Sequence, residues 1–167
     1  GSKIMWLARA IPKRNTTAFT VNQDGTNLQK CFPRGWGGSH FDWYDGDKLM
    51  ITAAYKGEQY SHIMFTSGKQ DYRRLGKGLL DYDGHGTFSP DHQWFITDTY
   101  PNELREQHLF LMDMESEAIL PLGRFYEPPE FKGGWRCDLH PRWSPDSDMI
   151  GFNSTYSGSR HVYVIRF

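Results

Sequence analysis

The chain has 167 residues, with 19 basic and 20 acidic side chains, a net charge of −1, 26 aromatic residues, and 34 Leu, Ile, Val and Phe together. Interspersed charge of this kind excludes a polybasic nucleic-acid binder, and high aromatic content at near-zero net charge excludes a disordered chain. No run approaches the roughly 20 apolar residues that cross a bilayer, and Cys31 and Cys137 form neither a zinc knuckle nor a disulfide framework, so both read as small buried residues. Gly1-Ser2 reads as a cloning remnant, which leaves room for a native leader or upstream region.

Taken in chain order, the elements repeat. Lys3-Ile4-Met5-Trp6-Leu7-Ala8 is followed by a second run, Ala18-Phe19-Thr20-Val21. The phrase Asp42-Trp43-Tyr44-Asp45-Gly46 then leads into Lys48-Leu49-Met50-Ile51-Thr52-Ala53, an offset of 45 from the first run, and into His62-Ile63-Met64-Phe65. Thr87-Phe88-Ser89-Pro90-Asp91 leads into Gln93-Trp94-Phe95-Ile96-Thr97-Asp98, again offset by 45, and into His108-Leu109-Phe110-Leu111. Arg142-Trp143-Ser144-Pro145-Asp146 leads into Met149-Ile150-Gly151-Phe152-Asn153-Ser154 and into His161-Val162-Tyr163-Val164. Short aromatic and branched runs separated by Gly, Asp and Pro read as strands, and Ser-Pro-Asp as the turn between two antiparallel ones. A 45-residue period with three or four strands per unit is the pattern of a β-propeller blade.

The expected fold is therefore an all-β propeller of about four blades, with fourteen strands divided three, four, four and three. The expected boundaries are 1–34 for a partial blade, then 35–78, 79–125, and 126–167 for a blade with a preceding insertion that ends incomplete. This phase predicts a piece of a larger ring, which would close as a small disk, recruit a second copy or take further blades to cover its edges.

The start of each blade's first strand faces the channel of a propeller, so equivalent positions converge although far apart in sequence. Three units carry a histidine there: Ser39-His40, Gly84-His85 and Leu139-His140. Neutral imidazole is the commonest ligand of divalent metals and a ready proton acceptor. Two readings stand at this point: a metal or proton-transfer site, and a structural residue copied with the repeat. His62, His108 and His161 recur at the third strand, where a blade-to-blade hydrogen bond accounts for them, and His92 falls in a turn. Asp83 and Asp138 each precede a channel histidine by two residues and are candidate ligands or imidazole partners. Arg136 and Tyr100 are candidate anion-binding and hydroxyl groups. The spacing between channel histidines grows from 45 to 55 in the last unit, with the surplus around Arg124 to Trp135. Trp135, Tyr126 and Phe131 in this loop have the ring faces that stack on sugars, or else pin the loop.

The phrases Gly84-His85-Gly86-Thr87-Phe88-Ser89-Pro90-Asp91 and His140-Pro141-Arg142-Trp143-Ser144-Pro145-Asp146 resemble the TolB-type propeller repeat. The histidine triplet, led by Ser39-His40-Phe41-Asp42-Trp43, is similar to the seven-bladed oligogalacturonate lyase family over nearly the whole chain. That resemblance implies a lyase acting on acidic, uronate-containing oligosaccharides by β-elimination, with a histidine base and a divalent metal, manganese. It maps the base onto His40, metal ligands onto His85 and His140, and a carboxylate clamp onto Arg136, with Tyr100, Trp135 and Tyr126 against substrate. Asp138 stands where the family has histidine and Trp135 where it has glutamine, so the metal set expected here is His85, His140 and Asp138. The TolB resemblance implies a different class, a non-catalytic module that binds a protein or glycan. Neither implies a nucleic-acid partner, and both leave the compartment open between bacterial periplasm and cytoplasm.

Overall fold

The computed structural model describes residues 2–10, 15–31, 33 and 35–167; Gly1 lies outside them. Its fourteen strands among the described residues are β1 (Lys3–Ala10), β2 (Asn15–Asn22), β3 (Gln29–Lys30), β4 (Phe41–Trp43), β5 (Lys48–Ala54), β6 (Tyr60–Thr66), β7 (Arg73–Arg74), β8 (Thr87–Phe88), β9 (Trp94–Asp98), β10 (Glu106–Asp113), β11 (Ile119–Tyr126), β12 (Arg142–Trp143), β13 (Met149–Ser154) and β14 (His161–Arg166). They form four antiparallel sheets, β1-β2-β3, β4-β5-β6-β7, β8-β9-β10-β11 and β12-β13-β14, each ordered as in the chain. The expected division into three, four, four and three strands is the one observed. Among the described residues, no helix is long and apolar enough to cross a membrane.

The chain divides into two compact units, Gly1–Asp83 with the first two sheets and Gly84–Phe167 with the last two. In the first, β5 is buried on both faces, so its sequence is a continuous apolar run rather than an alternation. Leu49, Ile51 and Ala53 pack with Ile63 and Phe65 of β6 and with Met5, Ala18 and Cys31 of the first sheet. In the second unit, Ile96, Leu109 and Leu111 pack with Leu139, Ile150 and Phe152 across its two sheets. Each fully buried aliphatic side chain contributes about 1.5–3 kcal/mol, and the aromatic borders, such as Phe125 against Phe152 at 4.7 Å between centroids, fill what the aliphatics leave. Both cysteines are buried and free.

The Ser-Pro-Asp turns close by the bonds their residue types allow. The Ser89 amide donates to the Trp94 carbonyl at 2.9 Å, the Trp94 amide donates to Ser89 Oγ at 2.9 Å, and the Gln93 amide donates to Asp91 at 3.0 Å. Ser144 repeats the pattern toward Met149, but there Asp148 takes the Ser144 hydroxyl. In the degenerate copy Asp45 accepts from the amides of Asp47 and Lys48.

One reading needs correction. The histidines of the third strands are not equivalent once pairing is considered. His62 pairs with Thr52, but the residues paired with the matching Thr97 and Asn153 are Phe110 and Val162. The connections differ, running over 55–59, 99–105 and 155–160, so the sequence recurrence slides against the pairing. The bond of His62 to Thr52 Oγ1, 2.9 Å, lies within its own sheet, and that of His161 to Ser159 Oγ, 2.7 Å, reaches the connection that enters β14. His92 does sit in a turn, at φ +62°.

Candidate functional site

Within the second unit, the segment that enters β8 and the segment that enters β12 come side by side. They bring His85 and His140 into ring contact, stacked with centroids 3.6 Å apart. Ligand atoms of His85, His140 and Asp138 all lie within 4.8 Å of one another, the one such grouping found among the described residues. Ligand atoms at about 2.0–2.2 Å from a single ion lie roughly 3 to 4.4 Å apart, depending on the angle between them, so the three side chains have to draw closer to share one ion. Two imidazoles and a carboxylate suit a first-row divalent ion.

Behind the rings stands Asp98, the last residue of β9, which is fully buried. Its Oδ1 accepts the His85 amide at 2.7 Å, its Oδ2 accepts the His140 amide at 2.8 Å, and both oxygens lie 3.0 Å from His85 Nδ1. Gly84 is what lets this happen: a Cβ there would lie 2.0 Å from the Asp98 carbonyl oxygen. His140 itself sits at φ +43°, in the left-handed region that non-glycine residues enter at a cost. Burial first, and then the neighbouring His85 ring, hold its pKa below the ordinary histidine value of 6.5, so the ring is neutral at pH 7.

Asp138 is gripped by Arg136, whose Nε and Nη2 donate to its two oxygens at 2.5 and 2.9 Å. The hydrogen bond to Asp138 raises the Arg136 pKa further. A carboxylate has about four lone-pair sites, so Asp138 holds this fork and still offers a lone pair to an ion. The Arg136 guanidinium lies 4.4 Å over the Tyr100 ring, and Tyr100 meets His85 edge-on at 5.5 Å. Thus His85, His140, Asp138, Arg136 and Tyr100 form one cluster.

The inserted segment is pinned from beneath. Arg124 to Tyr126 belong to β11, and the loop proper begins at Glu127, which is fully buried. Glu127 Oε1 accepts the Cys137 amide at 2.7 Å and Oε2 accepts Arg105 Nη2 at 2.5 Å. Arg105 also reaches the carbonyls of Glu127 and Phe131, and Gln107 donates to the Cys137 carbonyl. Burial raises the Cys137 thiol pKa, so it is an inert packed residue. Trp135 ends a 3-10 turn (Gly133–Trp135) and is 78% exposed, its carbonyl held by Arg160, while Tyr126 is 48% exposed at the end of β11.

His40 belongs to the first unit. Its carbonyl accepts the Thr52 amide at 2.8 Å, and its Nε2 lies 4.0 Å from Asp83 Oδ1, which also accepts from Ser39 Oγ at 3.2 Å. Asp98 and the Glu127–Arg105 pair escaped the sequence reading. The one signal for Asp98 was a carboxylate closing an apolar strand where the other copies have Ala53 and Ser154.

Four antiparallel sheets built on a 45-residue repeat define a β-propeller. No family model matches the chain, and no curated protein matches it in sequence. Among solved structures it is similar to TolB from Acinetobacter baumannii, with a TM-score of 0.78 and 16% identity over 99% of this chain and 39% of that one. The putative TolB from Agrobacterium tumefaciens matches with a TM-score of 0.67 at 16% identity, over 98% and 58%. An oligogalacturonate lyase in complex with manganese matches with a TM-score of 0.69 at 20% identity, over 97% and 48%. These likenesses establish the fold, and the chain spans between 39% and 58% of the length of those propellers.

Proposed function

We propose that the chain is the metal-bearing part of a lyase-like propeller that acts on uronate-containing acidic oligosaccharides by β-elimination. The observation that carries this reading is the meeting of His85, Asp138 and His140 around one point. These three residues would hold a divalent ion, with manganese suggested by the lyase neighbour. When bound, such an ion neutralises the uronate carboxylate and makes the adjacent C5 proton more acidic.

The chain's own groups supply the rest. His40 is assigned as the base: a neutral imidazole takes the C5 proton, the C5–H electron pair becomes the C4–C5 double bond, and the C4–O bond breaks with its electron pair leaving on the departing sugar oxygen, which takes a proton from water. Asp83 beside it favours the imidazolium that forms. Arg136 is assigned to the substrate carboxylate, with the N–H groups that its fork on Asp138 does not use. Tyr100, Trp135 and Tyr126 are assigned to sugar faces, for which the exposed Trp135 indole on its pinned turn is well suited. The ring is inferred to be completed by further blades or a second copy, since two of the four sheets have three strands and the matched propellers are longer.

His40→Ala should abolish the ultraviolet absorbance of unsaturated product on uronate oligosaccharides while leaving metal content unchanged; undiminished activity rejects His40 as base. The TolB likeness over 99% of the chain favours a second reading, a module that binds a protein or glycan. Protein that carries no divalent metal and takes none up supports that reading instead.

A further inference from the structure

We propose that Asp98 is the positioning residue of this site: its buried carboxylate sets the His85 tautomer and the His140 backbone so that both imidazoles turn a lone pair toward one ion. The inference rests on the metal-site reading of His85, Asp138 and His140.

Three donors converge on Asp98 from two separate segments. The His85 amide and the His140 amide take one oxygen each, at 2.7 and 2.8 Å, and His85 Nδ1 lies 3.0 Å from both. With both oxygens accepting backbone protons, Nδ1 is the donor, and the His85 lone pair falls on Nε2. Holding the His140 amide also stabilises its left-handed backbone, at φ +43°, which stacks its ring on that of His85. A carboxylate behind a ligating histidine is the usual orienting device at metal sites. The repeat does not require it: the matching positions are Ala53 and Ser154. Gly84 opens the space that lets the two segments approach. A buried carboxylate with no orienting task would be an expensive way to end one strand of four.

The test begins with the full-length, metal-free protein labelled with 15N. Imidazole NMR is expected to show the His85 proton on Nδ1; a proton on Nε2 overturns the proposal and requires no variant. In Asp98→Asn the His85 tautomers are expected to mix, and the Mn2+ dissociation constant to rise about 10- to 100-fold; an unchanged tautomer, or an affinity within about twofold of wild type, overturns it. A purely structural role would lower Tm and leave the tautomer as it was. If Asp98→Asn does not fold, the wild-type tautomer decides. If the wild type takes up no Mn2+, the metal reading fails, while the tautomer still decides the role of Asp98.

Discussion

His140 and Gly84 occupy backbone positions that only their surroundings justify. Gly84 lies so close to the Asp98 carbonyl that a methyl group would stand 2.0 Å from it, and the obstacle is backbone rather than a flexible side chain. Gly84→Ala is therefore expected to cost about 1–3 kcal/mol or more, measured by urea unfolding, and to weaken divalent-metal uptake with it. Asp138→Asn removes the charge of the carboxylate proposed as a metal ligand and also loosens the Arg136 fork. Its expected effect is a lower Mn2+ affinity with a change in unfolding free energy of about 1 kcal/mol, because the Arg136 side chain is 41% exposed although that of Asp138 is only 12% exposed. At this scale the sequence was legible where the repeat multiplied the signal. His85 and His140 stand out because a histidine recurs at one slot of the unit. Asp98 does not recur, and a single carboxylate at a strand end has too many ordinary explanations to be singled out.

Among the elements, the insertion before β12 depends on one buried acid. Glu127 is fully buried, and its two oxygens join the Cys137 amide to Arg105. Glu127→Gln keeps the shape but replaces an acceptor oxygen with a donor, at a cost of about 1–3 kcal/mol. Hydrogen exchange is expected to rise through residues 127–137 first, and uniform exchange across the chain would contradict the clamp. The turns between strands carry their own pH dependence. Hydrogen bonds from Thr26, from Ser89 and from the Ser116 amide hold Asp24, Asp91 and Asp113 below the ordinary aspartate value of 3.8. A depressed folded-state pKa means the unfolded chain binds protons more readily. The stability from these turns is thus full above about pH 3.8 and is lost as pH falls through the lower folded values, which a carboxylate NMR titration reads directly. The strand runs were legible because aromatic and branched residues recur at 45-residue intervals. Pairing in the third strands was not, because hairpin connections of unequal length shift register without disturbing the sequence recurrence.

At the level of the molecule, four sheets in two units account for the thin aliphatic supply. Each sheet is narrow, and within each unit side chains of its two sheets pack on one another with aromatic borders, while Ile4 of β1 and Val162 and Val164 of β14 stay exposed. Such a scaffold fixes short entry segments at the edge strands, and in the second unit those segments carry the His85, Asp138 and His140 donors. Propellers of the same fold include both TolB and a manganese-bound lyase, so the fold leaves the chemistry to the site. The most direct test is a Mn2+ titration of the metal-stripped protein, followed by electron paramagnetic resonance and calorimetry, beside His85→Ala and His140→Ala. Saturable uptake of one ion per chain in the wild type, lost in both variants while their folds persist, is the predicted result. No uptake by the wild type, or equal uptake by the variants, would contradict it.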